Sequence, residues 1–390
     1  MKTISWRVLA AFLLVVVGAG LFVLIVRSNN AGQRDFITYW AAGHQLVHRA
    51  NPYDGAAIQA LEHSAGCNLS FPLIMRNPPE ALFLALPLGL VTPNTGLVLW
   101  MVALLASLVA SIRMLWTMHG RPDDRLHLLG YCFAPVMECL MAGQFGLFLL
   151  LGVVLFLYFH KSRPFLAGAA LLLCATKPHL FLPFGIVLIL WIVVKKQYRI
   201  LAGFCVALLA SCALAFCFDP YAWSHYSQMM HTSGIMGEIV PTLSEFFRLI
   251  IDRNAIWLQF LPQAAGCFWA LWFFWTRRTR WSWMDQGLLL LLVSVMCSPY
   301  ALLTDEALLL PAVLTGIYRA DRSGRSLLPF GCIAGVAMIE VFVKIPMTSA
   351  YYLWTTPAWL AWYLYATSGK NTAHSGAAEV AEPRSENINF

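Results

Sequence analysis

Charge is what this chain has least of: Asp, Glu, Lys and Arg make up 12% of its 390 residues, against 59% apolar ones and a mean hydropathy of +0.68. So little charge excludes an ordinary soluble globule and makes lipid the expected main solvent. Signatures of nucleotide and hydrolytic chemistry are absent as well: there is no Walker loop, GxGxxG, HExxH, GxSxG or Asp-x-Asp pair. Their absence argues against nucleotide-dependent chemistry. The ten cysteines include no CxxC pair and no Cys/His metal spacing, and most, such as Cys132, Cys174, Cys205, Cys212 and Cys297, fall in apolar runs. Neither a disulfide framework nor a metal site is expected, and no cofactor. No internal repeat is visible, which weighs against inverted-repeat transporter folds.

What is present is a series of apolar runs between short polar loops. Unpaired backbone groups are intolerable in hydrocarbon, so runs of roughly 20 apolar residues must be helices, and the fold is expected to be all-α. The net charge of +7 does not imply nucleic acid, because the basic residues flank apolar runs: Arg121 to Arg125, Lys161 to Arg163, Lys195 to Arg199, Arg277 to Arg280 and Arg319 to Arg325. The positive-inside rule places these loops in the cytoplasm. The alternate turns then face outward: Gly143-Gln144, Lys177-Pro178-His179, Asp219 to Ala255, Ser298 to Glu306 and Lys344 to Ala350. Val8 to Val26 reads as a retained first helix, and Ala81 to Val91 as a short helix that dips into the outer leaflet. This predicts a polytopic protein of about twelve transmembrane helices, both termini cytoplasmic. Residues 1–366 form one membrane-embedded domain with outer loops 28–79 and 219–255, and residues 367–390 a disordered cytoplasmic tail.

The polar residues of the outer turns carry the candidate chemistry. Asp35, in Arg34-Asp35-Phe36-Ile37-Thr38-Tyr39-Trp40, follows the first helix closely and opens an interfacial helix. A partly desolvated carboxylate there can serve as a general base, or it can cap the helix or pair with Arg34. Asn51-Pro52-Tyr53-Asp54 reads as a turn, and Asn77-Pro78-Pro79-Glu80 as a helix start beside Arg76, which can contact phosphate or snorkel. Lys177 and His179 interrupt an apolar stretch before a helix N-terminus, a setting for phosphate, although Lys can snorkel and His can bond within the core. Gln144, Tyr300, Asp305 and Glu306 can contact a sugar or satisfy helix ends, and Lys344 can bind phosphate or a lipid headgroup.

Taken together, these motifs resemble the family 87 glycosyltransferases. The resemblance rests on Asp35-Phe36 with Tyr39 and Ala41-Ala42, Pro52-Tyr53-Asp54, Pro78-Pro79, Gly143-Gln144, Arg163-Pro164 with Ala167-Gly168, Lys177-Pro178, and Ser298-Pro299 with Asp305 before Leu308 to Pro311. The chain departs from the family at Arg49-Ala50-Asn51, Gln144-Phe145-Gly146 and Leu302-Leu303-Thr304, positions that bear on sugar and acceptor identity. The resemblance implies a GT-C type fold in a bacterial inner membrane and transfer with inversion from a polyprenyl-phosphate sugar, mannose by analogy, to a glycolipid or glycan acceptor outside. It further implies Asp35 as catalytic base, Lys177, His179, Lys344 and Arg76 as phosphate cations, and Tyr39, Gln144, Tyr300, Asp305 and Glu306 as sugar or acceptor contacts. Competing readings are a transporter or flippase of lipid-linked glycan and an undecaprenyl-diphosphate-dependent ligase or polymerase; clustering of charge at outer turns rather than mid-membrane favours an enzyme. The topology has a direct test: in intact cells Pro122→Cys is expected to add no labelling by an impermeant thiol reagent over the parent protein, and added labelling would invert the assignment.

Overall fold

The computed structural model describes residues 31–232, 240, 242–346 and 349–368. The first apolar run, Val8 to Val26, lies outside these residues, as does the tail beyond Ser368. Among the described residues every regular element is helical, as the apolar runs require, and one continuous hydrophobic core runs from Ala31 to Ala366.

Two short helices, α1 (Phe36–Val47) and α2 (Gly55–Ser64), come first. Asn51-Pro52-Tyr53-Asp54 is the expected turn: Asn51 Oδ1 accepts from Tyr53 N at 2.9 Å, and Asp54 caps α2 by accepting from Ala56 N and Ala57 N. The expected short helix is present as one contiguous apolar helical segment, Pro79–Leu90, with 3-10 geometry at Pro79–Ala81 and again at Leu86–Leu90, where Pro87 supplies no N–H. This segment and the next helix enclose α1, whose buried residues include Phe36, Ile37, Thr38, Tyr39, Trp40, Ala41, Ala42 and Gly43. It is therefore covered on nearly every side by protein.

The remaining elements are α3 (Pro93–Met118), α4 (Ala134–Ala142), α5 (Gly146–Phe159), α6 (Pro164–Ala175), α7 (Leu182–Val194), α8 (Tyr198–Phe218), α9 (Ala222–Thr232), α10 (Leu243–Ile250), α11 (Leu261–Arg277), α12 (Leu288–Met296), α13 (Leu310–Arg322), α14 (Leu328–Phe342) and α15 (Thr355–Thr367). Two of them, α3 and α8, are long and apolar enough to cross a bilayer. Others are shorter apolar pieces, stopped by Pro or Gly turns, as where α4 ends on left-handed Gly143 and α6 stops before Lys177-Pro178. Large apolar side chains stay exposed along one face of α3, at Val98, Leu99, Val102, Leu105 and Val109, a surface suited to lipid.

Contacts divide the bundle into two ends. At one end the basic loops meet: Lys161, Lys195 and Trp281 line one cavity, Arg319 pairs with Asp285, and Arg322 Nη2 donates to His119 O at 2.9 Å. At the other, Gln144 meets Asp35, Lys177 meets Asp305, Asn77 meets Thr176 and Gln259 meets Pro299.

The site end depends on one close crossing. A Cβ on Gly43 of α1 would lie 2.1 Å from the Ala85 carbonyl oxygen, and one on Gly89 would lie 2.2 Å from the Gly43 carbonyl, so backbone touches backbone with no room for a methyl. Gly89→Ala is expected to destabilise the protein by about 3 kcal/mol. A Tm equal to the parent's in detergent would show that the two segments do not cross this closely.

Candidate active site

The site is assembled from two turns and the start of α1. Gly143 closes α4 with φ 72°, a left-handed conformation that glycine adopts at low cost, and a Cβ there would come within 2.9 Å of Phe36 Cβ. Trp100 Nε1 on α3 donates to Gly143 O at 2.7 Å, which fixes the turn against α3. Gln144 is thereby aimed at the Asp35 end. Its Nε2 donates to Asp35 Oδ2 at 2.7 Å, and its Oε1 accepts from the Tyr39 hydroxyl at 2.7 Å. Tyr39 stacks on Trp100 with ring centroids 5.1 Å apart and meets the edge of Phe145 at 5.4 Å.

Asp35 occupies the N-cap position of α1 but makes no side-chain cap bond, so capping does not explain it. One carboxylate oxygen is anchored by Gln144, while Oδ1 accepts no hydrogen bond among the described residues and the side chain is only partly buried. Burial raises its pKa above the ordinary value of 3.8, and the Gln144 hydrogen bond and the Lys177 charge pull it back down. Glu138 on α4 stands near enough for its charge to interact with that of Asp35. It drew no attention in the sequence, although a carboxylate inside an apolar run is the kind of signal that finds such residues.

Lys177 is not a free cation. Its Nζ lies 2.6 Å from Asp305 Oδ1, both side chains are buried, and the ammonium also sits 5.0 Å above the Phe145 ring. Asp305 Oδ2 is held in turn by Leu302 N at 3.0 Å. His179 is half-buried, packs edge-on to Tyr300 at 6.0 Å, and its buried Nε2 has no hydrogen-bond partner among the described residues. Burial, followed by the Lys177 charge, lowers its pKa to about 4, so near neutral pH it is an uncharged imidazole. Its carbonyl accepts from Gln263 Nε2 at 2.7 Å.

The 76–80 segment joins the same end, because Asn77 Nδ2 donates to Thr176 O at 2.9 Å and Asn77 O accepts from the Tyr53 hydroxyl at 2.9 Å. Arg76 is half-buried beside this anchor. Tyr300 is half-buried beside His179, and its carbonyl accepts from Ser298 Oγ at 2.7 Å. Glu306 points elsewhere: its Oε1 accepts from Thr355 Oγ1 at 2.5 Å and Thr356 Oγ1 at 2.9 Å, tying the turn to α15. Burial raises its pKa to about 8. Lys344 lies exposed in the turn after α14, with no bond to the Asp35 and Lys177 groups among the described residues. No cluster of three His, Cys, Asp or Glu side chains suited to a metal occurs among the described residues.

A family model described as glycosyltransferase family 87 matches residues 76–299, a span that takes in Arg76, Gln144, Lys177 and His179 and ends short of Asp305. No curated protein and no solved structure matches the chain. Removing one partner of a buried ion pair strands the other, so Lys177→Met is expected to destabilise the protein by about 3 to 5 kcal/mol. Adding Asp305→Leu should recover most of that loss in a thermal melt; full stability of Lys177→Met alone would mean the pair is not formed.

Proposed function

The chain belongs to glycosyltransferase family 87, and on that premise we propose that it is a membrane-embedded, inverting hexosyltransferase that uses a polyprenyl-phosphate sugar. Mannose is the first candidate sugar, and the acceptor is a hydroxyl of a glycolipid or glycan. The bundle spans the membrane about twelve times, with the basic loops in the cytoplasm and the Asp35 end on the opposite, periplasmic face.

The observation that carries this reading is the Asp35 carboxylate, held by Gln144 through one oxygen with the other open to an incoming group. In the reaction Asp35 accepts the proton of the acceptor hydroxyl as that oxygen bonds to the anomeric carbon. The bond from that carbon to the phosphate oxygen breaks on the opposite face, its electron pair leaves with the lipid phosphate, and configuration inverts. The scheme calls for no metal or nucleotide.

The geometry redistributes the supporting roles. The Lys177 charge opposes the burial that raises the Asp35 pKa, and because Lys177 is paired with Asp305 it contributes only part of a cation to the phosphate. Neutral His179 offers a hydrogen bond. Arg76 and Lys344 remain candidates for the departing phosphate, and Tyr39 and Tyr300 for the sugar or acceptor. A lipid-borne donor keeps its tail in the bilayer while its headgroup reaches the site, which accounts for an enzyme with so much exposed apolar surface.

Purified protein given radiolabelled polyprenyl-phosphate mannose and glycolipid acceptors is expected to form labelled product. Asp35→Asn should lower kcat by about 10²-fold or more, the usual scale for a lost general base, with an unchanged melting temperature. Wild-type rates in Asp35→Asn would sink the mechanism, and movement of lipid-linked glycan without glycosyl product would point to a flippase.

A further inference from the structure

At the end of the bundle away from Asp35, a cavity of about 470 Å³ opens among His160, Lys161, Trp191, Lys195, Trp281 and Trp283. It lies where the ends of α5 and α7 meet the turn leading into α12. Trp283 is 2% exposed, yet its Nε1–H and that of Trp281 have no hydrogen-bond partner among the described residues. An indole N–H can only donate, and leaving one buried and unpaired costs about 1 to 3 kcal/mol. Lys161 and Lys195 are exposed at the rim and form no ion pair among the described residues. His160 is turned by the contact of its Nδ1 with Leu157 O at 2.9 Å.

The unpaired indoles and the lysines are thus donors or cations, and their complement is an anion rich in acceptor oxygens. We propose that this cavity binds a phosphate group, borne by an anionic phospholipid of the adjacent leaflet or by a soluble phosphate. The wall suits an amphipathic ligand: Trp191 and Trp281, which line the cavity, meet the Trp283 ring edge to face at 5.4 and 5.6 Å, giving apolar surface for a glycerol and acyl stem. The lysines supply the attraction that holds an anionic headgroup at a membrane surface. The site is separate from the Asp35 group and holds whether or not the proposed donor is correct.

The test uses the full chain in phosphatidylcholine nanodiscs with and without phosphatidylglycerol, and in phosphatidylcholine alone with inorganic phosphate. Native mass spectrometry counts retained lipid and a thermal melt reads stabilisation. Trp283→Phe keeps the ring and removes the donor, and Lys161→Gln with Lys195→Gln removes the charge from exposed positions that folding does not need. The wild type should retain phosphatidylglycerol roughly tenfold more than either variant, as expected for loss of a charge-assisted contact. Stabilisation of the wild type alone by inorganic phosphate would support the site with a soluble ligand as its source. Equal retention and equal melting in the wild type and the lysine variant, under both phosphatidylglycerol and phosphate, would overturn it.

Discussion

The amide of Gln144 is the joint on which the site depends. Its oxygen is committed to the Tyr39 hydroxyl, so its nitrogen is left to donate to Asp35, and each bond fixes the orientation that the other needs. In a site walled by Trp100, Tyr39 and Phe145, with little water to compete, such a pair of bonds is stronger than it would be in solution. The amide can reach both partners because Gly143 lets the chain turn tightly against Phe36. One carboxylate oxygen is thereby fixed, and the other accepts no hydrogen bond among the described residues.

The larger architecture serves the same end. Apolar runs force helices, loop charge sorts their turns to two ends, and interruptions by Pro and Gly shorten many helices so that polar turns collect at the Asp35 end. Lys177 and Asp305 show the electrostatic cost being met locally. Their ion pair lets two charges persist in a buried setting, while His179, without a countercharge of its own, is neutral.

Much of this was legible in the sequence. Low charge and long apolar runs gave the all-α class, and Asp35, Gln144 and Lys177 stood out as polar groups in turns of an apolar chain. Pairing was not legible: Asp35 and Gln144 are 109 positions apart, and Lys177 and Asp305 are 128 apart. No local periodicity links positions so distant, so Lys177 read as a free cation and His179 as a charged one. Asp305 and Glu306 looked equivalent as neighbours, but they lie in a tight 3-10 turn and diverge, one to Lys177 and the other to Thr355 and Thr356. Nor was the cover over α1 legible, because the Pro79–Leu90 segment that supplies it comes from outside the helix's own pattern.

With Asp35 as the proposed base and Gln144 as the group that tunes it, the acidic limb of log kcat/KM against pH is the direct measure. A base works when deprotonated, so activity falls as pH drops through its pKa. Burial raises that pKa and the Gln144 bond lowers it. In Gln144→Leu the lowering influence is gone, so the limb should move to higher pH while the variant regains activity in alkaline buffer. A limb at the same pH in wild type and Gln144→Leu would contradict the claim.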